Sequence, residues 1–97
     1  MERPKELRWY NDGGHGWLAV TVRELLDSGV ALDTSSCSYH DHQTAMVYLE
    51  EDCDAARYLD SLGFTPESAT AISKNDFVNG DSFIRSLSQY TPGGVGA

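Results

Sequence analysis

A turn signal near the N-terminus constrains the fold more than any other feature of this chain. Residues 11–14 read Asn-Asp-Gly-Gly, residue types that tolerate the positive φ angles of a tight reversal. Residues 6–10 before this run are rich in large side chains. Residues 15–22 after it include aromatic and β-branched side chains, which suit a pleated, half-buried surface. The pattern predicts two antiparallel strands joined by a hairpin turn.

A capping box follows the second predicted strand. Thr21 and Glu24 stand three residues apart, so each side chain can bond the backbone amide of the other. Gly29 is the residue type that most often ends a helix in the left-handed conformation. These signals predict a short helix over residues 21–28, which must pack on the sheet because isolated helices of this length are marginal.

The middle of the chain predicts a second strand pair and a second helix. We expect strands over 34–39 and 43–49, separated by a turn at His40-Asp41-His42, and a helix over 50–63 that ends at Gly63. The fourth strand is apolar on both faces, which predicts a central position in the sheet. Its alternating side chains are Ala45, Val47 and Leu49 on one face, and Met46 and Tyr48 on the other. The helix is expected to bury a stripe of Cys53, Ala56, Leu59 and Leu62, with Ala55 beside it.

The last third of the chain supports more than one interpretation. Thr-Pro-Glu at 65–67 is compatible with a helix start, but we assign a fifth strand to residues 68–74. Residues 82–89 fit either a short helix or an extended return, and 91–97 form a frayed tail. The sequence thus predicts one α+β domain over residues 1–90. Its four- or five-stranded, mainly antiparallel sheet carries two helices, those at 21–28 and 50–63, packed on one face.

The charge balance indicates the kind of partner. Seven basic and fifteen acidic side chains give a net charge of −8. Affinity for a phosphate backbone comes from Lys and Arg displacing counterions, so direct binding to nucleic acid or to an anionic membrane is disfavoured. We expect instead a protein partner with a basic surface. The expected contact residues are the carboxylates Glu50, Glu51, Asp52 and Asp54, with Trp9 and Tyr10 as aromatic anchors.

Aromatic side chains flank the predicted hairpin turn. Trp9, Tyr10 and Trp17 are expected to cluster on one face of the sheet, either as core or as an exposed binding patch. The chain has no run long enough to cross a membrane, and its start is too polar for a signal peptide, so we expect a cytoplasmic protein. In that compartment Cys37 and Cys53 are expected to be reduced thiols.

Catalytic and metal-binding patterns are weak. No Gly-x-Ser-x-Gly elbow follows a strand, and the glycine run at 13–16 lacks the Lys-Ser/Thr ending of a phosphate loop. His40 and His42 have a usable ligand spacing, but nothing in the sequence fixes a third and fourth ligand. We therefore expect no enzyme activity, no cofactor and no metal. A small metal-dependent enzyme is kept as an alternative.

Three segments together resemble a group of small proteins from bacteriophages and mobile elements. They read HGWLxV at 15–20, SxSY at 36–39 and YLEEDCDA at 48–55, and the resemblance covers most of residues 7–90. That group has no settled biochemical activity, so the resemblance implies a context. In this context a small acidic domain without catalytic motifs looks like an inhibitor of a host defence complex, with anti-CRISPR proteins as the leading class. The alternative is a non-catalytic accessory or homodimerising module of a phage or mobile element.

Overall fold

Among the residues that the structure describes, six strands form a single sheet in the order β5-β1-β2-β4-β3-β6. The computed structural model describes residues 4–12, 16–29, 38–51, 54–77, 84 and 87–89. In chain order the elements are β1 Leu7–Asn11, β2 Gly16–Thr21, α1 Val22–Ser28, β3 Tyr39–Asp41, β4 Met46–Glu50, α2 Asp54–Ser61, α3 Pro66–Ala71, β5 Ser73–Phe77 and β6 Ser88–Gln89. The predicted α+β class and the mainly antiparallel sheet are confirmed. Five strands of three to six residues form the body of the sheet, and the two-residue β6 lies at one edge.

The strands β1 and β2 pair antiparallel, as the turn signal predicts. Trp9 lies opposite Leu18 and Tyr10 lies opposite Trp17, while residues 13–15 of the predicted turn are outside the described part of the chain. The other neighbour of β1 is β5, and this pair is parallel. All other neighbouring strands are antiparallel. The sheet is therefore mixed, and in the described part of the chain its one parallel pair lies at the β5 edge.

The helix α1 begins and ends at the predicted signals. The Glu24 amide donates to Thr21 Oγ1 over 2.9 Å, and the Thr21 amide donates to Glu24 Oε1 over 2.8 Å. At the other end Gly29 adopts the left-handed conformation with φ 83°. Its amide donates to the Leu26 carbonyl over 3.2 Å. Both caps satisfy backbone groups that a short helix otherwise leaves unpaired.

Buried side chains form two clusters, separated by the alternation of the strands. The main core contains Leu18, Val20, Val47 and Leu49 from the central strands, and Leu25, Ala55, Tyr58 and Ala69 from the three helices. The second cluster contains Trp17, Tyr48 and Ile84, with Tyr10, Ala19, Tyr39, Met46 and Leu87 packed against them. The predicted alternation of Val47 and Leu49 against Met46 and Tyr48 is confirmed, and β4 lies between β2 and β3 as a central strand.

The second predicted helix starts later than expected. Glu50 is the last residue of β4, where it pairs with Trp17 of β2, so sheet hydrogen bonding extends the strand into the predicted helix. The helix begins at Asp54 and is followed by Gly63 at φ 82°. Its fully buried positions are Asp54, Ala55 and Tyr58. The predicted stripe is thus displaced by one position, because Ala56 is exposed while Leu59 and Leu62 are half-buried.

The turn predicted at 40–42 is displaced towards the C-terminus. Its first two residues belong to β3, and the turn occupies 42–45. Asp41 Oδ1 accepts a hydrogen bond from the Gln43 amide over 3.0 Å, which stabilises a turn after Asp41 rather than at it. The segment 34–37 of the predicted third strand lies outside the described residues.

The fifth strand predicted at 68–74 is wrong. Most of that segment is α3, which begins with a capping box: the Ser68 amide donates to Thr65 Oγ1 over 3.1 Å, and the Thr65 amide donates to Ser68 Oγ over 2.9 Å. Pro66 stands at the first helical position, where its fixed φ and missing amide favour a helix start. Of residues 82–89, Ile84 lies in a 3₁₀ turn and β6 is extended. The remainder of that segment and the tail at 91–97 lie outside the described residues.

Candidate functional site

The fold separates the four carboxylates expected to contact a partner. Glu50 is 8% exposed and Asp54 is 3% exposed, so both lie inside the protein. Glu51, in the turn after β4, is exposed, and Asp52 lies outside the described residues. The expectation that Glu50 and Asp54 present their charge at the surface is therefore corrected, because the end of β4 and the start of α2 pack inward.

Ser38, which the sequence marks only as part of the SxSY segment and not as a contact residue, explains the position of Asp54. Its hydroxyl is fully buried, donates to Asp54 Oδ2 over 2.5 Å and accepts from the Glu50 amide over 3.1 Å. One hydroxyl thus connects the residue before β3, the end of β4 and the first residue of α2. Since buried polar groups require hydrogen-bond partners, this cluster serves the fold. No local sequence pattern indicates it, because Ser38 and Asp54 are 16 residues apart.

Glu51 is held at the surface beside Gly16. Its amide donates to the Gly16 carbonyl over 2.9 Å. A Cβ added to Gly16 would lie 2.7 Å from Asn11 Oδ1 and 2.8 Å from Glu51 Oε2, so the glycine leaves room for both side-chain oxygens. The result is an electronegative corner where β2 begins and β4 has just ended.

The indole ring of Trp9 is held in place by a chain of two hydrogen bonds. Its indole Nε1 donates to Ser73 Oγ over 3.0 Å, and Ser73 Oγ donates to the Ala69 carbonyl over 2.7 Å. The indole is half-buried and packs against the main core. The ring is therefore held in one orientation between β1, β5 and the end of α3.

Trp9 and Glu51 line one surface cleft of about 220 Å³, which we call the Trp9–Glu51 cleft. The other lining residues are Ala69, Thr70, Ser73 and Asn75. Pockets that enclose a drug-sized molecule are larger, about 300–1,000 Å³, so the space suits a single side chain of a partner. An aromatic ring beside a carboxylate is the combination that attracts a Lys or Arg head group, by cation–π attraction and by charge.

Tyr10 lies on the other face of the sheet. Neighbouring residues of a strand point to opposite sides, so Trp9 joins the main core while Tyr10 and Trp17 join the second cluster. There Tyr10 stacks edge-on against Tyr48, with ring centroids 5.9 Å apart. The prediction that Trp9, Tyr10 and Trp17 share one face is wrong. Of the two expected anchors, Trp9 shares a cleft with an expected carboxylate, Glu51.

The histidines expected as metal ligands lie against each other. His40 is buried and His42 is exposed, with ring centroids 3.9 Å apart. Burial lowers the pKa of His40, the neighbouring His42 lowers it further, and Asp41 opposes the shift. Among the described residues no group of three or more His, Cys, Asp or Glu side chains is placed to hold a metal ion.

Several described basic side chains are engaged by neighbouring carboxylates. Arg8 lies 3.1 Å from Glu6 and 3.5 Å from Asp76, and Lys74 lies 3.8 Å from Glu6. These pairs are exposed, so solvent screens them and they add little to stability. Their main effect is on the surface charge, because they neutralise cations in a chain whose net charge is −8.

Within the described ranges, no helix combines the length and the apolar character needed to cross a membrane. Comparison with known proteins identifies no relative of this chain. No protein-family model, no curated protein and no solved structure matches it.

Proposed function

We propose that this chain is a non-catalytic protein-binding domain that inhibits a host defence nucleoprotein complex, in the manner of an anti-CRISPR protein. It binds a basic surface of that complex and so keeps nucleic acid away from it. The observation that supports this proposal is the placement of Trp9 and Glu51 in one cleft at the surface of a strongly acidic protein.

In the proposed complex a Lys or Arg side chain of the partner enters the Trp9–Glu51 cleft. Its cationic head meets the Glu51 carboxylate and the indole ring, while Asn75 and Thr70 offer polar contacts at the rim. A cation–π contact contributes about 0.5–1 kcal/mol when exposed and about 2 kcal/mol or more when desolvated. Because the ring is already fixed by Ser73, little conformational freedom is lost when it binds.

The rest of the surface charge acts over a longer range. A net charge of −8 raises the rate of encounter with a basic partner, and this attraction weakens as salt screens it. A surface that binds a phosphate backbone carries clustered Lys and Arg side chains, which makes it the natural complement of this protein. Asp52 and Glu51 contribute to the proposed contact, whereas the buried Glu50 and Asp54 do not.

The proposal is tested with purified RNA-guided effector complexes, immobilised for interferometry in 50 mM and 200 mM salt. The wild-type protein is expected to bind at least one complex, more tightly at the lower salt, and to compete with its target DNA. Glu51→Gln is expected to weaken binding about tenfold, which corresponds to about 1.4 kcal/mol. Glu67→Gln is the matched control, because Glu67 is exposed on α3 and does not line the cleft.

Two results would contradict the proposal. The first is that no effector complex binds, or that binding leaves target DNA uptake unchanged. The second is that the Glu51 and Glu67 variants bind equally well, which would remove the cleft from the mechanism. If light scattering shows a stable dimer, the homodimerising module is favoured instead.

A further inference from the structure

Three residues lie side by side across the end of the sheet that borders the Trp9–Glu51 cleft. Asn11, the last residue of β1, is paired with Gly16, the first residue of β2. On the other side of Gly16 lies Glu51, whose amide donates to the Gly16 carbonyl over 2.9 Å. Residues directly opposite each other on neighbouring strands have their side chains on the same face of the sheet. Asn11 and Glu51 therefore flank a position that has no side chain.

Two side-chain oxygens converge over this position. A Cβ added to Gly16 would lie 2.7 Å from Asn11 Oδ1 and 2.8 Å from Glu51 Oε2, so both oxygens lie within 2.8 Å of one point. The oxygen of an amide and the oxygens of a carboxylate accept hydrogen bonds and donate none. Neither oxygen can satisfy the other, and their negative charges repel. The arrangement becomes favourable when a cationic donor approaches both oxygens together.

The orientation of the Asn11 amide is set by the neighbouring strand β5. Asn11 Nδ2 donates to Asn75 Oδ1 over 3.3 Å, and the other end of the amide, Oδ1, lies beside Gly16. Asn75 is paired with Trp9 in the parallel register of β1 and β5, and both line the cleft. The amide thus connects the wall of the cleft to the position over Gly16, and Glu51 belongs to both.

The wall of the cleft adds an aromatic surface and a further acceptor. The indole of Trp9 is held in one orientation by its hydrogen bond to Ser73 Oγ over 3.0 Å. The hydroxyl of Thr70, another lining residue, donates to the Pro66 carbonyl over 2.8 Å, so its oxygen can still accept. A ligand that suits this lining carries positive charge, has several N–H donors and places a flat face against the indole.

A guanidinium group meets these requirements better than an ammonium group does. The guanidinium is planar, carries five N–H donors in a fixed fork, is weakly hydrated and stacks on aromatic rings. An ammonium group is a compact, strongly hydrated point charge with three donors. Two neighbouring N–H groups of the fork can donate to a pair of convergent oxygens while the plane of the guanidinium stays against the indole. An ammonium group has no plane that combines the two contacts.

We propose that the Trp9–Glu51 cleft selects arginine over lysine side chains, and that Asn11 is the residue that determines this specificity. Glu51 accepts from one N–H of the guanidinium, Asn11 Oδ1 accepts from the next, and the group stacks on Trp9. Gly16 is required because a side chain at this position would collide with both oxygens. The inference rests on the proposed function and deepens it, since it specifies which cationic side chain of the partner enters the cleft.

The test is a titration of ¹⁵N-labelled protein followed by NMR. The probes are blocked Gly-Gly-X-Gly-Gly peptides in which X is arginine, lysine or citrulline, a residue with the shape of arginine and no charge. The signals followed are the indole N–H of Trp9 and the backbone amides of Gly16 and Glu51, which lie in or beside the cleft. The arginine peptide is expected to give saturable shifts with a dissociation constant about fivefold below that of the lysine peptide, as the gain of one hydrogen bond implies. The citrulline peptide is expected to bind more weakly than either.

Two variants test the specificity. Asn11→Ala removes the second oxygen and keeps the Glu51 charge. It is expected to weaken binding of the arginine peptide about fivefold and to leave the lysine peptide within about twofold of the wild type. Gly16→Ala is expected to have the same effect, because its methyl group displaces the ends of two flexible side chains while the backbone there does not require a left-handed conformation.

Two further variants serve as comparisons. Glu51→Gln is expected to weaken binding of both charged peptides to a similar extent, since both depend on its charge. Gln43→Ala is the matched control for the loss of an amide side chain, because Gln43 is exposed and does not line the cleft. It is expected to leave both affinities unchanged. Thermal unfolding of each variant checks that the fold is retained.

The inference is overturned if the arginine and lysine peptides bind the wild type equally well, or if neither gives saturable shifts. It is also overturned if Asn11→Ala weakens both peptides alike, because a purely structural role of Asn11 would leave the ratio of the two affinities unchanged. Failure of the proposed function has a different signature. Selective binding of arginine by a protein that binds no effector complex contradicts the proposed function alone. Effector binding that depends on Glu51, together with equal affinities for the two peptides, contradicts the arginine selectivity alone.

Discussion

The buried Ser38 hydroxyl should be one of the most important polar groups for stability. It donates to Asp54 Oδ2 over 2.5 Å and accepts from the Glu50 amide over 3.1 Å. A hydrogen bond to a charged group contributes about 1.5–3 kcal/mol, and one between neutral groups contributes about 0.5–1.5 kcal/mol. We therefore expect Ser38→Ala to lower the free energy of unfolding by about 2–4 kcal/mol, out of a total of about 5–15 kcal/mol for a domain of this kind.

The measurement is urea unfolding at pH 7 and 25 °C, followed by circular dichroism. Ser61→Ala is the matched control. Ser61 also uses its hydroxyl, donating to the Tyr58 carbonyl over 2.6 Å, but it is exposed, so water replaces the lost bond. Its substitution should change the free energy of unfolding by less than about 0.5 kcal/mol.

A double-mutant cycle separates the Ser38–Asp54 bond from other effects of the substitutions. If the two side chains interact as the structure shows, the losses for Ser38→Ala and Asp54→Ala are not additive, and the coupling is about 0.5–3 kcal/mol. Additive losses, or a loss for Ser38→Ala no greater than for Ser61→Ala, would refute the role assigned to this hydroxyl.

Two further predictions concern the core and the pH dependence. Leu49→Ala should destabilise the protein by about 2–5 kcal/mol because Leu49 is fully buried. Leu26→Ala, at a position that is 46% exposed, should have less than half of that effect. Similar midpoints of the two variants in thermal unfolding would contradict this assignment of the core. Burial lowers the pKa of His40 below its ordinary value of 6.5, so at acidic pH the unfolded chain binds a proton there more readily than the folded one. Stability from this group is complete above about pH 6.5 and falls as the pH drops through the folded-state pKa. His40→Gln should reduce the difference in the free energy of unfolding between pH 7.5 and pH 5.5, and an unchanged difference would argue against this assignment.

The parts of the fold that the sequence predicts well depend on residues close together in the chain. Thr21, Glu24 and Gly29 define both ends of α1 through contacts within one or two turns of helix. The hairpin and the alternation in β4 follow from short local patterns. Such signals are readable because the physical cause lies inside the segment that carries them.

The incorrect strand at 68–74 has one local cause and one that involves a distant segment. Residues 68–74 contain β-branched side chains that favour a strand, yet the local cap of Thr65, Ser68 and Pro66 starts a helix there. The actual strand begins at Ser73 because it pairs with β1, a partner that no local pattern specifies. The helix cap thus overrides the β-propensity of residues 68–71, and the pairing with β1 determines where the strand begins.

The candidate site was predictable in part. The sequence placed Glu51 and Trp9 among the contact residues, and they line one cleft. The sequence indicates Glu50 and Asp54 as contact residues because carboxylates are concentrated there beyond what a helix start needs. Their burial depends instead on Ser38 and on the pairing of Glu50 with Trp17. The opposite orientations of Trp9 and Tyr10 follow from strand geometry, and strict use of the two-residue period would have separated them.

The parallel pairing of β1 with β5 determines the order in which the protein can assemble. Trp9 and Ser73 are 64 residues apart, so during synthesis the first strand leaves the ribosome long before its outer neighbour exists. Until then the nascent hairpin has an unpaired edge, which is the part of a sheet most open to pairing with other chains. Joining ends so far apart is slow compared with forming a hairpin. The indole that lines the Trp9–Glu51 cleft therefore reaches its final position only after most of the polypeptide has been made.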